Sequence, residues 1–465
     1  MRFTTALLAA AIGICAPAFA ADSAPSASSL DTATKLREQA LTSNRAYEIT
    51  ASLTTDVGQR MAGSDGDRRA VAWAKAKFEA LGFDRVELQP VSYPRWVRRH
   101  ESGAIIAPYE MPMHLTALGR SNGTDGDLEA EVVRFEDIEA LKAVEPGSLA
   151  GKIAFIDKRM PRSQSGHGYG ETVAGRSTGA VVAASKGAAA LLIRSIGTDD
   201  NRLPHTGAMW QRPENPTVPA AALSIPDADQ LARLLAKGPV SVRLNLDVGL
   251  DGEFESANVI GEITGREKPD EYVIIGGHLD SWDLGTGAID DASGIGITMA
   301  AGALIAALPE RPRRSIRVVA FANEEQGLYG GRAFAEANDP SKAVVGAESD
   351  LGADLIYLLR SSMGEQPDAT VKAMAELMAP LGIPYDDGEG HSGADLSALA
   401  SAGMPFVSLV QDATRYFDYH HTANDTLDKV DAKALDQQVA AYAIFSWLAA
   451  DGDSDFGRDK TQSAE

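Results

Sequence analysis

Five short groups of residues in the C-terminal half of the chain carry imidazole and carboxylate side chains, most of them close to glycine. They are Gly277-His278-Leu279-Asp280-Ser281, the run from Gly287 to Gly294 that contains Asp290-Asp291, Asn323-Glu324-Glu325-Gln326-Gly327, Glu348-Ser349-Asp350, and Tyr419-His420-His421. Imidazole nitrogens and carboxylate oxygens are common zinc ligands. Each group alone also fits an ordinary role, such as a helix N-cap or a solvated loop, so only their combination indicates a site.

A pair of zinc ions would account for this combination, since each ion needs about four nitrogen or oxygen ligands with a position left for water. The candidate metal ligands are His278, Asp290, Glu325, Asp350 and His421. If Asp290 bridges the ions, each gains one histidine and one further carboxylate, and Glu324 stays free to accept a proton from water. Asp280 can accept the second ring N–H of His278 and fix its tautomer. The predicted chemistry is metal-assisted hydrolysis with two zinc ions per chain.

The elements around these groups predict an α/β fold. Segments 272–275 and 315–322 are typical of buried strands, and 295–308 between them is typical of a helix. This alternation favours a mostly parallel sheet sandwiched by helices. Ligands in such folds bind beyond the carboxyl ends of the strands, which is where His278 and Glu324 fall.

The chain before residue 251 divides into two predicted parts. Apolar residues at helical spacing between Ala70 and Leu81 are followed by a strand-like segment at 86–88, which continues the α/β pattern. From 112 to 250, strand-like segments at 152–156 and 190–193 flank a small-residue helix at 180–186, and this predicts an inserted domain. The main domain then comprises 21–111 and 251–452.

The N-terminus predicts export from the cytoplasm. Met1-Arg2, an apolar run up to Cys15 and Ala18-Phe19-Ala20 are typical of a signal peptide over 1–20, removed near Ala20, which gives a periplasmic or secreted protein. Cys15 is the only cysteine, so the mature chain has no disulfide. The Ser/Ala-rich mature start and the polar tail 453–465 are predicted to be disordered.

The acidic composition limits the partners. Asp and Glu number 65 against 43 Lys and Arg, for a net charge of −22, which disfavours nucleic acid and anionic membranes as partners. After the signal peptide, no stretch of about 20 uninterrupted apolar residues predicts a membrane span.

The five motifs, in this order, resemble those of the family 28 metallopeptidases, which include co-catalytic zinc aminopeptidases and glutamate carboxypeptidases. Within the family the chain is most similar to the plasma glutamate carboxypeptidase group, also called carboxypeptidase Q, through Gly277 to Asp283, Glu324 to Gly327, Glu348 to Asp350 and Pro204-His205-Thr206-Gly207. The resemblance implies the zinc-exopeptidase fold with a protease-associated insert over 112–250. It also implies a possible homodimer.

The resemblance also implies roles for single residues. His278 and Asp350 would hold one zinc ion, Glu325 and His421 the other, with Asp290 bridging them, Glu324 as general acid/base, and a cis peptide between Asp290 and Asp291. Many relatives use a tyrosine to stabilise the oxyanion, whereas this chain offers His420 or His391 for that role. Predicted substrate contacts are His391, Gly393 and Tyr419, with His205 as a minor candidate.

Three functions fit these residues. The leading prediction is an aminopeptidase or dipeptidase that acts on short peptides, because the carboxylates of the metal site can anchor a free ammonium group. A carboxypeptidase needs an arginine for the terminal carboxylate, and Arg415 is the candidate. A binding protein that kept the fold and lost the chemistry is the third, although its ligands would be eroded and here all are present.

Overall fold

The computed structural model describes residues 24–210 and 215–458. The helices are α1 (Ala27–Ala40), α2 (Arg45–Ser52), α3 (Asp65–Ala80), α4 (Ile138–Ala143), α5 (His167–Thr172), α6 (Ala174–Ser177), α7 (Gly179–Ser185), α8 (Ile225–Leu235), α9 (Ser293–Ala306), α10 (Tyr329–Ala337), α11 (Ala369–Met378), α12 (Ser397–Ser401) and α13 (Ala432–Asp451). The strands are β1 (Arg85–Ala107), β2 (Met111–Met113), β3 (Leu115–Ala117), β4 (Leu128–Phe135), β5 (Ile153–Ile156), β6 (Ala190–Arg194), β7 (Ala220–Leu223), β8 (Ser241–Ile263), β9 (Lys268–His278), β10 (Arg314–Phe321), β11 (Ala343–Glu348), β12 (Ile356–Ser361) and β13 (Val407–Gln411). The predicted signal peptide 1–20, with Cys15, lies outside the described residues.

One large sheet runs through the molecule in the order β11-β9-β10-β8-β4-β5-β6-β7-β3. Strands β11, β9 and β10 are parallel to one another, and so are β4 to β7. The long strand β8 joins the two sets by pairing antiparallel with β10 through its C-terminal end and with β4 through its N-terminal end. Strand β1 pairs with β8 along most of its length. Most strands thus have a parallel neighbour, which confirms the predicted fold class.

Alternating side chains of the central strands cover both faces of this sheet, as expected for strands between two helical layers. On one face Val273 and Ile275 of β9 pack in the core cluster that includes α9 and α13. On the other face Tyr272 and Ile274 pack with Phe334 of α10 and with residues of α12. The strands predicted at 272–275 and 315–322 and the helix predicted at 295–308 are confirmed as β9, β10 and α9.

Two segments predicted to be disordered are instead ordered. The Ser/Ala-rich start forms α1, whose Ala33, Leu36 and Ala40 are buried against α13, and Trp447 of that helix donates to the Ser29 carbonyl at 3.1 Å. The tail after residue 452 packs through Phe456, which is 2% exposed. Both segments are polar in composition, but each contains apolar residues that are buried against other parts of the folded chain. Residues 459–465 of the predicted tail lie outside the described residues.

The region 112–250 shares the sheet with the rest of the chain. Its predicted end at 250 falls inside β8, so one strand belongs to both parts. A core cluster of its own holds Phe155, Leu192 and Leu244, and the same cluster includes Trp282 from the loop that follows His278. This packing connects the region directly to the candidate site.

One segment of the described chain, Ala288–Ala306, is long and apolar enough to cross a membrane by length and composition, with a hydropathy of 1.3. Because Asp290 and Asp291 interrupt this segment, it is not a stretch of uninterrupted apolar residues. Inside the protein 94% of this segment is buried, against the sheet and α13. A helix that is apolar on all sides is expected at such a position.

Candidate metal centre

The carboxyl ends of three parallel strands carry the first part of the site. His278 is the last residue of β9 and lies opposite Phe321 of β10 in the strand register, so Glu324 and Glu325 follow within one turn. Asp350 follows β11, where the Ser349 amide donates to the Gly276 carbonyl at 2.9 Å. Since these ends meet at one edge of the sheet, the three motifs converge although up to 72 residues separate them in the chain.

Asp290 lies between two histidines. Its Oδ1 is 3.0 Å from Nε2 of His278, and its Oδ2 is 3.3 Å from Nε2 of His421. Nε2 of His278 is also 3.5 Å from Oδ1 of Asp350, and Nε2 of His421 is 3.0 Å from Oε2 of Glu325. The structure thus brings together all five predicted ligands, in two sets of one histidine and one carboxylate on either side of Asp290.

The arrangement of these ligand atoms fits bound metal ions better than it fits hydrogen bonds among the side chains themselves. Oδ2 of Asp290 and Oε1 of Glu325 are buried and accept no hydrogen bond from the described residues. Ligand atoms held about 2.1 Å from one tetrahedral zinc ion lie roughly 3.4 Å apart, close to the separations found here. Ligand atoms of three groups also lie within 4.8 Å of one another: Asp290, His420 and His421; His278, Asp290 and Glu325; His278, Asp291 and Asp350.

The two adjacent aspartates have different roles, and the peptide between them is cis. Asp290 faces the histidines, whereas Asp291 accepts from the backbone amides of His278 at 3.1 Å and Gly294 at 3.0 Å. A side chain on Gly294 would meet the Ser349 carbonyl at 2.0 Å, so the helix start packs directly on the loop before Asp350. The N-cap interpretation therefore holds for Asp291, and the metal interpretation fits Asp290.

A buried arginine that the sequence interpretation missed holds the loop before Asp290. Arg60 is 0% exposed and donates to the carbonyls of Leu279 at 2.6 Å, Thr286 at 2.6 Å and Gly287 at 2.8 Å. On the other side of the loop, Oδ1 of Asp425 accepts hydrogen bonds from the amides of Ala288 at 2.7 Å and Ile289 at 2.8 Å. Each of the three nitrogens of the Arg60 guanidinium thus donates to the backbone of the metal loop.

The loop 204–207 of the region 112–250 fixes the two histidines. The Thr206 carbonyl lies 3.2 Å from Nδ1 of His421, and the Thr206 amide donates to the His421 carbonyl at 3.1 Å. Nδ1 of His205 is 2.7 Å from the His420 carbonyl. His205 is 1% exposed and does not line the cavity, so the structure gives it a contact with the backbone of the histidine loop rather than with substrate.

The position of Asp280 differs from the prediction. Its carboxylate is 3.7 Å from Nδ1 of His278, beyond hydrogen-bond distance, whereas its main-chain carbonyl lies 3.1 Å from that nitrogen. The tautomer of His278 is therefore fixed by the backbone. The carboxylate of Asp280 instead accepts from the Glu324 amide at 3.0 Å and so positions the predicted general base. Only Leu279 separates His278 from Asp280, and at this spacing the main-chain carbonyl of Asp280 reaches the His278 ring whereas its carboxylate does not.

Glu324 lines a cavity of about 380 Å³ together with four of the candidate ligands, Asp290, Glu325, Asp350 and His421. Burial raises the pKa of its carboxyl well above the usual value, and the nearby carboxylates of Asp350 and Glu325 act in the same direction. At His421 burial opposes the charged form, but Glu325 and Asp290 outweigh it and raise the pKa to about 9. Carboxyl groups crowded in this cavity favour a bound cation, because a cation would relieve the repulsion between their charged forms.

His420 and His391 occupy different places. His420 lines the main cavity and stacks on His421 with ring centroids 3.5 Å apart. Burial lowers its pKa well below the usual value, and His421 lowers it further, which favours the neutral form. Its Nδ1 is buried without a partner among the described residues. His391 and Gly393 line a separate cavity of about 230 Å³ beside Asp350. The geometry favours His420 for contact with a reacting carbonyl.

Two further predicted contacts lie away from the main cavity. Tyr419 does not line it, and its ring lies 5.5 Å from the Lys429 ammonium. Arg415, the candidate for a carboxypeptidase, has a side chain that is 51% exposed and pairs with Asp354 at 2.7 Å. Both come shortly before His420 and His421 in the sequence, at the two ends of the 3-10 turn 416–418.

The sequence interpretation missed several residues of the cavity wall. They are Tyr169, Arg176, Ala208, Trp210 and Tyr416. All but Tyr416 belong to the region 112–250, where no motif marks them, because helices α5 and α6 are short and their contact with the metal side is a tertiary one.

Comparisons with known proteins place the chain in a family. Residues 258–445 match the model of peptidase family M28. Carboxypeptidase Q of Xenopus laevis is 33% identical over 414 residues, covering 88% of this chain and 86% of the relative, and that of Homo sapiens is 32% identical over 412 residues, covering 88% and 86%. The chain belongs to peptidase family M28.

A solved structure of the same family extends over nearly the whole chain. The crystal structure of a peptidase M28 precursor from Shewanella amazonensis is 45% identical, with a TM-score of 0.88 over 92% of this chain and 97% of that one. A zinc aminopeptidase from Bacillus subtilis shares the fold at 18% identity, with a TM-score of 0.63 over 89% and 98%. M28 peptidases are zinc-dependent, and the clustered histidines and carboxylates of this member fit that cofactor.

Proposed function

We propose that the protein is a di-zinc exopeptidase that hydrolyses short peptides with a free amino group. The observation that carries the proposal is the position of Asp290, with one carboxylate oxygen directed at each of two histidines that have their own carboxylate partners. His278, Asp350 and Asp290 would hold one ion, and His421, Glu325 and Asp290 the other. When bound, the zinc ions supply Lewis acidity that lowers the pKa of water and polarises the peptide carbonyl.

The residues of the chain then have separate tasks. Glu324 takes a proton from the attacking water and delivers it to the departing amine, while the C–N bond breaks and a C–O bond forms. The neutral His420 directs a ring nitrogen at the carbonyl oxygen as negative charge develops there. Carboxylates of the cavity attract the substrate's ammonium group.

The test combines metal content with one substitution. Protein purified without chelators is expected to contain close to two zinc ions per chain by mass spectrometry, and to lose peptide hydrolysis when a chelator removes them. Glu324→Gln is expected to keep the zinc but to lower kcat by roughly 10²–10⁴-fold, the usual contribution of a general base. Unchanged turnover of this variant, or of the metal-free protein, would refute the proposal.

We also propose that the protein is exported, on the basis of the sequence over residues 1–20. N-terminal sequencing of the protein from cells that make it is expected to find a start near residue 21. A mature chain that begins at Met1 would contradict this.

A further inference from the structure

A second cavity, which we call the basic pocket, lies in the region 112–250 and shares no lining residue with the cavity of the metal centre. Its volume is about 580 Å³. Three anionic side chains line it together with five cationic ones, which are Arg134, Lys158, Arg159, Arg194 and Arg233. Since the whole chain has 65 Asp and Glu against 43 Lys and Arg, this local excess of positive charge runs against the composition of the protein.

The basic pocket lies at the carboxyl ends of three neighbouring parallel strands. Arg134 is one residue before the end of β4, Lys158 comes two residues after β5, and Arg194 is the last residue of β6. Ligands of open α/β sheets bind beyond such strand ends. The metal centre occupies the same position relative to β9, β10 and β11, so the region 112–250 offers an equivalent place for a second ligand.

Two aspartates fix the cations at the base of the pocket. Arg194, whose side chain is 2% exposed, pairs with Asp157 at 2.5 Å and with Asp229 at 2.8 Å. Asp157 also accepts from Nε of Arg134 at 2.6 Å, and Asp229 accepts from Nη2 of Arg159. The aspartates therefore hold Arg134 and Arg159 on either side of the buried Arg194. Both carboxylates are used in this way, which leaves the outer cations without an anionic partner of their own.

Several donors of these cations have no partner in the part of the chain that the structure describes. They are Nη1 and Nη2 of Arg134, Nε and Nη1 of Arg159, and the ammonium group of Lys158. A concave surface lined by charges of one sign focuses the electric field and attracts ions of the opposite sign. The basic pocket thus has both the charge and the free donors for an anion.

The loop that leaves the pocket after β5 contacts the segment 412–421, which carries the two histidines of the metal centre. Arg162 in this loop donates to both oxygens of the Asp418 carboxylate, at 2.6 and 2.9 Å. The Gln164 carbonyl accepts from the Ala413 amide at 2.8 Å. Lys158 and Arg159 lie only a few residues before these contacts, at the start of the same loop.

The loop that leaves the pocket after β6 contacts the same segment. Oγ of Ser195, the residue after Arg194, accepts from the His205 amide at 2.8 Å, and Nδ1 of His205 lies 2.7 Å from the His420 carbonyl. The Thr198 amide donates to the Phe417 carbonyl at 3.0 Å. A ligand that orders the starts of both loops would therefore act on the position of the catalytic histidines.

We propose that the basic pocket is an effector site for a small anion with two or more negative charges on neighbouring oxygens, as in a phosphate group or a dicarboxylate. Arginine binds both groups through paired donors, and a volume of about 580 Å³ suits a small organic molecule. The bound anion would link Arg134 and Lys158 to Arg159 and so steady the segment 412–421. Anion binding does not depend on the proposed function, whereas its effect on hydrolysis rests on it.

Calorimetry of the zinc-loaded protein tests binding with two probes, inorganic phosphate and succinate, in chloride buffer of constant ionic strength. At least one probe is expected to bind, and the tighter one identifies the anionic group. Lys158→Gln is expected to weaken this binding by at least about tenfold, since a hydrogen bond to a charged group contributes a factor of this order. Lys142→Gln, at a side chain that is 48% exposed and paired with Glu139, is the control and should bind as the wild type does.

Two results of this experiment would overturn the proposal. One is that neither probe binds. The other is equal affinity in the wild type and in Lys158→Gln, because oxyanions are also zinc ligands and the probe would then be bound at the metal centre. Arg134→Gln tests the pocket from β4 and should give a loss similar to that of Lys158→Gln, and thermal unfolding without anion shows that both variants are folded.

Kinetics test the effector role. With saturating peptide, the tighter probe is expected to raise kcat of the wild type by about fivefold, the small end of coupling between two sites, and to leave kcat of Lys158→Gln unchanged. A rise in KM without a change in kcat would mean competition at the zinc ions and would overturn the role, as would equal kcat with and without bound probe. A protein that binds the probe through Lys158 but hydrolyses no peptide would refute the proposed function and not the anion site.

Discussion

The two walls of the cavity differ in the side chains that they carry. The metal-side wall holds charged groups, and Glu324, Glu325 and Asp350 among them lie within a few residues of the ends of β10 and β11. The opposite wall, from α5, α6, Ala208 and Trp210, is mostly apolar, and among the described residues its one Lys or Arg side chain is that of Arg176. We infer that the first wall performs the chemistry and the second selects the substrate. Variants of the first should therefore lose zinc or turnover on every peptide, and variants of the second should change the preference between peptides.

The strongest test of this division is Asp290→Ala. Because Asp290 faces both histidines, we expect the loss of bound zinc and a fall in kcat of at least about 1,000-fold on all peptides, as a metal supplies several kcal/mol to such reactions. Zinc content by mass spectrometry and peptide hydrolysis are the measurements. Asp428→Asn, at an exposed side chain, is the control. Retention of both zinc ions by Asp290→Ala would contradict the assignment of zinc binding to the metal-side wall.

Replacing His420 by alanine should come next in size. We expect a fall in kcat by about 100-fold, the usual cost of removing one donor to a developing oxyanion, with zinc retained. The same change at His391, which lines the separate cavity beside Asp350, should cost less than about tenfold. Steady-state kinetics of both variants on one dipeptide decide between them. Equal small losses would show that neither imidazole stabilises the oxyanion.

Arg60→Met tests whether zinc binding depends on the contacts of Arg60 with the loop before Asp290. Since Arg60 contacts no candidate ligand directly but fixes three carbonyls, we expect zinc affinity to fall by roughly 10–100-fold, as for other outer contacts of metal sites. Competition with a chelating dye measures this affinity, and thermal unfolding shows whether the variant is folded. Arg68→Met, at a side chain that is 63% exposed, is the control. Unchanged affinity in a folded variant would limit Arg60 to a role in stability.

The smallest effect is expected at the contact between the walls. His205→Ala removes the partner of the His420 carbonyl, and a fall in kcat of about tenfold with unchanged zinc content is expected from the looser histidine loop. The ratio of kcat/KM for two dipeptides that differ in their second residue should stay constant, because His205 does not line the cavity. A change in that ratio would show that the walls cannot be separated in this way.

The sequence was informative where the chemistry lies at strand ends. His278, Glu324 and Asp350 each lie at or just after the end of a strand whose apolar run is visible in the sequence. Because the ends of parallel strands meet at one edge of the sheet, these residues come together there. The sequence was less informative for α1, whose spaced alanines and leucine lie in a polar segment. It also assigned the carboxylate of Asp280 to His278, although the choice between that carboxylate and a backbone carbonyl depends on local geometry of about one ångström.

The residue types, their order and the strands before them determined the family, the fold class and the set of candidate ligands. Periodic burial and metal chemistry both leave a local signature in the sequence. The tertiary structure alone decided that Arg176 enters the cavity with free donors, that Arg415 does not, and that Arg60 is buried behind the metal loop. These outcomes depend on contacts between segments far apart in the chain, and an arginine has the same appearance in a sequence whether its partner is a carbonyl, a carboxylate or a substrate.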